Sequence, residues 1–282
     1  MSKKKLIPVI AVVLIIFIGL IILLNLNKYK PEEIKTETTV TSISTAPTEI
    51  ITEATTTYPP FVNGLSLKAN EAKNINSETV GWIRISNTVI DYAVLRAKDN
   101  DFYINHDINK KPSDAGYIFM DFRCDFEKEI GLQSDNMLMY GHNMYDGSMF
   151  SALKKYADDP SFYEQNPIVE VSSLYEDFQY KIFAFMLCNG AKGSDFEFWN
   201  YINFPRDYKK QTAEECFDEY IAKINDKSLV KTNVDVKFGD KFIALSTCNN
   251  GDLYDDTRFV VLARRVRPGE DLLSGVAGSV RK

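Results

Sequence analysis

Beyond residue 60 the chain is a succession of short apolar runs separated by clusters of Asn, Asp, Gly and Ser. Eight runs stand out: "WIRI" (82–85), "VIDYAVL" (89–95), "GYIFMDF" (116–122), "NMLMYGH" (136–142), "IVEVSSL" (168–174), "QYKIFAFML" (179–187), "VDVKFGDKFIALSTC" (234–248) and "RFVVLARRV" (258–266). Each is rich in β-branched or aromatic residues and bounded by turn formers, the pattern of strands. Helical signals open the region in "SLKANEAKNI" (66–75), ahead of a polar break and Gly81. "GSMFSALKKYAD" (147–158) also reads as helix, as does "TAEECFDEYIAKIN" (212–225), where Cys216, Phe217, Tyr220, Ile221 and Ile224 recur at helical spacing. These elements predict a mainly β (α+β) fold. Its eight strands form a barrel or sandwich, with N-terminal helices and a helix ahead of the strand that ends in Cys248.

The first 60 residues follow another pattern. Residues 6–24, "LIPVIAVVLIIFIGLIILL", carry no charge. As a helix they would span about 28 Å, close to the hydrocarbon thickness of a bilayer. Lys3, Lys4 and Lys5 precede the run and acidic residues follow it, which sets the N-terminus in the cytoplasm and the remainder outside. The competing reading is a cleaved signal peptide, whose apolar core would be about 7–15 residues long with a small-x-small site after it. "NLNKYKPEE" (25–33) offers no such site. Residues 1–27 are therefore expected to be a cytoplasmic stub and transmembrane anchor of a single-pass membrane protein. Residues 28–60 are rich in Thr, Ser, Glu and Pro and bury too little surface to offset their ordering entropy. They read as a disordered stalk, bare or glycosylated, with a span on the order of 30 Å. Residues 61–282 then form one extracellular domain.

A formal net charge of −6 argues against nucleic acid as a partner. The chain holds two histidines, His106 and His142, and four cysteines, Cys124, Cys188, Cys216 and Cys248. Neither set has the spacing of a zinc site, so no metal or other cofactor is expected. The cysteines also lack the look of a disulfide framework.

Nucleophilic chemistry fits better. His142 directly follows the apolar run "NMLMY", and Cys248 ends the run "FIALST". Both stand at strand ends, where a rigid sheet can present side chains to a shared cleft. Arg258 lies ten residues past Cys248 at the start of the last long strand, so a hairpin would bring it back beside the cysteine. A thiol partnered by an imidazole, with a guanidinium to hold a developing oxyanion, is a workable acyl-transfer set. Taken singly, Cys248 also reads as a small buried apolar residue and Arg258 as a solvated charge. Unperturbed thiol and imidazole pKa values would leave only about one per cent of molecules as thiolate–imidazolium at neutral pH.

The order of motifs narrows the choice. "ETVGWIRISNTVIDYAV", "DNDFYINHD", "AGYIFMDFR", "YGHNM" and "LSTC" followed by "RFVVLARR" together closely resemble the class B sortases, membrane-anchored cysteine transpeptidases of Gram-positive bacteria. The resemblance covers roughly residues 65–267. It implies a sortase-type β-barrel with Cys248 as nucleophile, His142 as general acid and base, and Arg258 as the third essential residue. It further implies a substrate groove at Asn100, Ile104, Tyr140, Ser246 and Thr247. The helix around Cys216 resembles the helical insertion of that class. The implied reaction cleaves a C-terminal sorting motif of a secreted protein after Thr, through a thioester. The acyl group then passes to a cell-wall amine of a peptidoglycan precursor, or to a pilin amine.

Two alternatives remain at this stage: another cysteine peptidase or wall hydrolase, and a non-enzymatic adhesin on a stalk. "LSTCNN" lacks the glycine- or glutamine-rich signatures expected at a papain-like or L,D-transpeptidase cysteine. Among the other candidates, Cys188 reads as core, Cys216 as one face of a helix, Cys124 as part of an acidic loop and His106 as a loop residue. Arg264, Arg265 and Arg267 read as solvated charges, with contact to anionic wall polymers as the second reading.

Overall fold

The computed structural model describes residues 64–159, 161–205, 211–248 and 256–282, with the backbone but not the side chains of Ile130 and Cys248. The expected anchor (1–27), the expected stalk (28–60), the first residues of the expected 61–282 domain and most of the turn after Cys248 lie outside them. Among the described residues no helix is long and apolar enough to cross a membrane.

Eight strands close a barrel: β1 (Thr79–Arg84), β2 (Asp91–Leu95), β3 (Phe119–Met120), β4 (Asn136–Tyr140), β5 (Ile168–Ser173), β6 (Asp177–Asn189), β8 (Phe242–Cys248) and β9 (Thr257–Arg265). Around the barrel the order is β1-β2-β3-β4-β8-β9-β6-β5. The β2–β3 and β4–β8 pairs are parallel, and the other neighbours run antiparallel. Closure leaves the sheet no free edge. Two further short strands, β7 (Val230–Lys231) and β10 (Val280–Arg281), pair with each other outside the barrel. This pairing has no counterpart in the sequence reading, because its partners lie fifty residues apart and neither carries a periodic pattern.

Burial explains why several strands read as continuous apolar runs rather than alternations. Residues 242–247 of β8 are all buried. A strand buried on both faces reads as an unbroken apolar run, and helix α4 (Ala213–Lys227) reaches one end of β8. Cys216, Phe217, Tyr220 and Ile224 form the buried stripe of α4, and the Phe217 ring lies 6.1 Å from that of Phe242. Thr212 opens α4 with a capping box, its side chain and that of Glu215 each taking the other's backbone N–H. Helix α1 (Leu65–Ile75) packs its Leu65, Ala69 and Ala72 inward. Its first turn is held by Asp177, whose carboxylate accepts the N–H groups of Gly64 and Ser66 at 2.6 and 2.7 Å.

Some expected elements are shorter than the pattern suggested. "GYIFMDF" contributes only Phe119 and Met120 to the sheet. "GSMFSALKKYAD" becomes a 3-10 turn, Ser151–Lys154, running into the single-turn helix α2 (Lys155–Asp158), and another short helix follows, α3 (Phe162–Gln165). Residues 234–241 are not strand. The N–H of Lys237 donates to the Asp240 carboxylate, the N–H of Asp240 to the Lys237 carbonyl, and Gly239 takes φ 91°, a turn that suits glycine.

The arginine cluster overturns the solvated reading. Arg264 is 0% exposed and grips the Glu270 carboxylate through both Nη atoms at 2.6 Å. Buried Lys181 meets the same carboxylate at 2.9 Å and two carbonyls of the 271–274 turn. Arg267 pairs with Asp240 and Asp235, and the Arg265 guanidinium lies 3.9 Å over the Phe178 ring. The segment after β9 folds back so that Glu270 neutralises cations that would otherwise be solvated, which a local reading of "ARRVR" cannot show.

Candidate functional site

The parallel β4–β8 pair fixes one end of the barrel. Tyr140, the last residue of β4, stands opposite Ser246, and the N–H of Gly141 continues the ladder to the Ser246 carbonyl at 3.2 Å. Two residues beyond this pair stand His142 and Cys248. Because β9 runs antiparallel to β8, its start lies at the same rim, with Arg258 the backbone partner of Cys248. Strand β6 runs antiparallel to β9 and sets Cys188 opposite Arg258 from the other side.

A cleft of about 520 Å³ opens at this rim, within the size range of ligand sites. Its walls include His142 and Tyr140 from the end of β4, Ser246 and Thr247 from β8, and Arg258 from β9. Asn100 and Ile104 come from the turn before β3, and Trp199 from a 3-10 turn, Phe198–Asn200. Seven of the eight residues singled out in the sequence therefore share one cleft. For the eighth, Cys248, the backbone position at the rim is described, between Thr247 and the Arg258 ladder.

His142 is oriented by the opposite wall. Its Nε2–H donates to the Ile104 carbonyl at 2.7 Å. A carbonyl only accepts, so Nε2 carries a hydrogen and Nδ1 is the nitrogen left to exchange a proton. The chain around the histidine is closely packed. Phe150 N–H returns to the His142 carbonyl at 2.9 Å. A Cβ on Gly141 would come within 2.4 Å of Ile118 Cδ1 and 2.9 Å of the Phe150 ring, so any larger residue would have to displace those side chains. Gly190 plays the same part beneath Arg258, since a Cβ there would sit 2.8 Å from Arg258 Cγ and from the Asp256 carbonyl. Among the described residues, the Arg258 guanidinium hydrogen-bonds only the adjacent Thr257 carbonyl, at 3.4 Å.

Behind the cleft lies a charge that the sequence reading passed over. Asp121, just past β3, is 0% exposed. Arg123 clasps it through Nε at 2.9 Å and Nη2 at 2.8 Å. Tyr140 Oη and Asn100 Nδ2 also donate to it, at 3.1 and 2.9 Å. Burial alone would raise the Asp121 pKa; the hydrogen bonds and charge of Arg123, with the Asn100 amide, outweigh it and hold the carboxyl below its ordinary value. The signal was an aspartate inside the apolar run "YIFMDF" with an arginine two residues on.

The other cysteines are set apart. Cys124, Cys188 and Cys216 are buried, reduced cysteines, and burial pushes Cys124 and Cys188 up to about 12. Cys124 is core beneath its acidic loop, its Sγ accepting the Leu138 N–H at 3.4 Å. His106 stacks on Phe102 at 4.2 Å, on the turn that carries Ile104. Among the described residues no group of three His, Cys, Asp or Glu is placed to hold a metal ion.

No family model matches the chain. It is 34% identical over 196 residues to sortase B of Listeria monocytogenes, covering 70% of this chain and 73% of that protein. It is 32% identical over 197 residues to sortase B of Staphylococcus aureus, covering 69% and 73%. Among solved structures, a Staphylococcus aureus sortase B–substrate complex superimposes with a TM-score of 0.60 at 28% identity, over 72% of this chain and 87% of the other. A sortase B complexed with triglycine gives 0.61 at 28%, over 72% and 87%. With identity above 30% across most of the domain and the same closed barrel, the chain belongs to the class B sortases and is a cysteine transpeptidase of that family.

Proposed function

We propose that the chain cleaves a sorting motif near the C-terminus of secreted proteins after Thr and transfers the acyl group to a cell-wall or pilin amine through a thioester on Cys248. The observation that carries this reading is the shared rim, where Cys248 faces Arg258 across the ladder and His142 and Arg258 line one cleft. Similar solved structures support both substrates: sortase B has been solved with its substrate and with triglycine, an amine-bearing peptide.

The chemistry follows from the residue types. The Cys248 thiolate attacks the carbonyl of the Thr–Gly or Thr–Asn bond. Arg258 stabilises the oxyanion or fixes the peptide backbone. His142, protonated at Nδ1, gives that proton to the leaving amine as the C–N bond breaks and the thioester remains. The incoming amine loses a proton to neutral His142, attacks the thioester carbonyl and expels the thiolate. The groove is formed by Asn100, Ile104, Tyr140, Ser246 and Thr247. The domain would act outside the cell, held by an anchor in residues 1–27 and a stalk in 28–60; the uncharged run at 6–24 and its preceding lysines support that placement.

The test is turnover by the full-length protein of peptides carrying Asn-Pro-x-Thr or Pro-x-Thr-Gly motifs, with and without a glycine- or diaminopimelate-type amine. An amide product that grows with amine supports the proposal. Hydrolysis unchanged by amine points to a peptidase, and no cleavage across either peptide set to an adhesin.

A further inference from the structure

Asp121 accepts hydrogen bonds from two residues that line the cleft, Tyr140 and Asn100, and from Arg123, without itself lining the cleft. Its Oδ2 takes the Tyr140 hydroxyl at 3.1 Å, one Asn100 amide hydrogen at 2.9 Å and Arg123 Nη2 at 2.8 Å. Its Oδ1 takes Arg123 Nε and the Arg123 backbone N–H at 2.9 and 3.0 Å. Arg123 Nη2 also reaches the carbonyl of Trp199, another lining residue, at 3.0 Å. A carboxylate only accepts. The Tyr140 proton is therefore committed to Asp121, and the hydroxyl oxygen has only lone pairs left to offer the cleft. Asn100 is committed in a complementary way: its Oδ1 takes the Phe122 N–H at 3.0 Å, so its free hydrogen-bonding capacity includes one Nδ2–H donor. The two polar atoms lie within about 6 Å of each other, since both bond the same carboxylate oxygen.

We propose that Asp121 is a positioning residue for transpeptidation that sets the polarity of the substrate cleft: by taking the protons of Tyr140 and Asn100 inward, it makes Tyr140 an acceptor for a peptide N–H and Asn100 a donor to a peptide carbonyl. The ligand class is the backbone of an extended peptide, so the inference deepens the proposed function and rests on it. Arg123 keeps the buried carboxyl ionised, which the inward-pointing protons require. Asparagine at 121 has the same shape, but its amide can donate to Tyr140 and turn the hydroxyl proton out toward the cleft.

The test compares full-length wild type, D121N, Y140F and the D121N/Y140F double variant on the Asn-Pro-x-Thr and Pro-x-Thr-Gly peptides, with thermal melting to confirm folding. D121N is expected to raise KM about tenfold or more and to change kcat by less than about threefold, the signature of lost peptide binding rather than lost chemistry. The double variant should lose less than the product of the single losses, because the two residues act through one hydrogen bond. An unchanged KM, a fall confined to kcat, or fully multiplicative losses overturns the proposal. If D121N does not fold, Arg123→Lys, which loses the two-pronged grip, must show the same KM-weighted defect, and an unchanged KM again overturns it. If wild type cleaves neither peptide set, the proposed function fails on its own. The polarity device is then read by fluorine NMR of 3-fluorotyrosine placed at position 140. A lower ionisation midpoint in D121N than in wild type supports the inward hydrogen bond, and identical midpoints refute it.

Discussion

Tyr140 and Ser246 are direct partners in the parallel β4–β8 ladder, and His142 and Cys248 each follow two residues later. Parallel strands advance together, so the register that pairs the first two residues brings the second two to the same rim of the barrel. The other three cysteines are buried, and burial holds Cys124 and Cys188 near 12. Alkylation of the native protein should therefore modify Cys248 first, with the other thiols reacting only on unfolding. Its rate should change in His142→Ala. Peptide mapping after brief exposure to iodoacetamide checks this, and equal labelling at all four thiols would count against an activated Cys248.

Gly190 carries the Arg258 side chain against its backbone. Gly190→Ala would place a methyl where the Arg258 stem and the Asp256 carbonyl now lie, and backbone on one side leaves the arginine to move. A displacement of this kind, on the order of 1 Å, costs up to about a hundredfold in rate. We expect kcat/KM of Gly190→Ala to fall by at least about tenfold with the melting transition still cooperative. Full activity would show that the position of Arg258 is not critical.

Arg258→Lys keeps a positive charge and loses the planar fork. Turnover should fall by about a hundredfold or more, the scale for removing a donor to an oxyanion. Steady-state kinetics decide this, and wild-type rates in Arg258→Ala would remove the residue from the mechanism.

The ion cluster behind the barrel makes a stability prediction. The Arg264 guanidinium holds Glu270 well below the usual carboxylate range. A carboxyl whose pKa is lower folded than unfolded contributes stability above its unfolded value, ordinarily 4.5, and that contribution is lost as pH falls toward the folded value. Glu270→Gln leaves buried Arg264 and Lys181 without their shared counter-charge, which should cost about 3–5 kcal/mol at neutral pH. Urea titrations at several pH values should show a smaller loss of stability on acidification below pH 4.5 in the variant. Wild-type acid sensitivity in Glu270→Gln would refute the assignment.

What could be read in advance depended on how local its cause is. Strands β4, β8 and β9 were legible because both of their faces are covered, leaving unbroken apolar runs, two that stop short of His142 and Cys248 and one that starts just after Arg258. Helix α4 was legible from the helical spacing of Cys216, Phe217, Tyr220, Ile221 and Ile224. The cleft residues were legible only through the joint resemblance of several motifs, since a single strand-end cysteine has a bland reading too. The role of Asp121 was not, because its partners Asn100 and Tyr140 are separated from it by 21 and 19 residues. Arg264 misled for a different reason: its counter-charge Glu270 lies only six residues on, but nothing within "ARRVR" marks the fold-back that sets it on the guanidinium. Residues 234–241 read as strand from "VDVKF", but Arg267 pins Asp235 and Asp240 from outside that window and the chain turns instead.

The central claim is that acyl transfer passes through a covalent intermediate on Cys248. Intact-protein and peptide-level mass spectrometry of the full-length protein, mixed with a cleavable sorting-motif peptide without an amine, measures it most directly. A mass increase equal to the peptide up to and including Thr should map to Cys248, persist because water is the poorer nucleophile towards a thioester, and disappear when a glycine- or diaminopimelate-type amine is added, with an amide product in its place. Cys248→Ala should show neither adduct nor product while melting as wild type does. Cleavage and amide formation with the adduct on another residue, or undiminished in Cys248→Ala, would contradict the account.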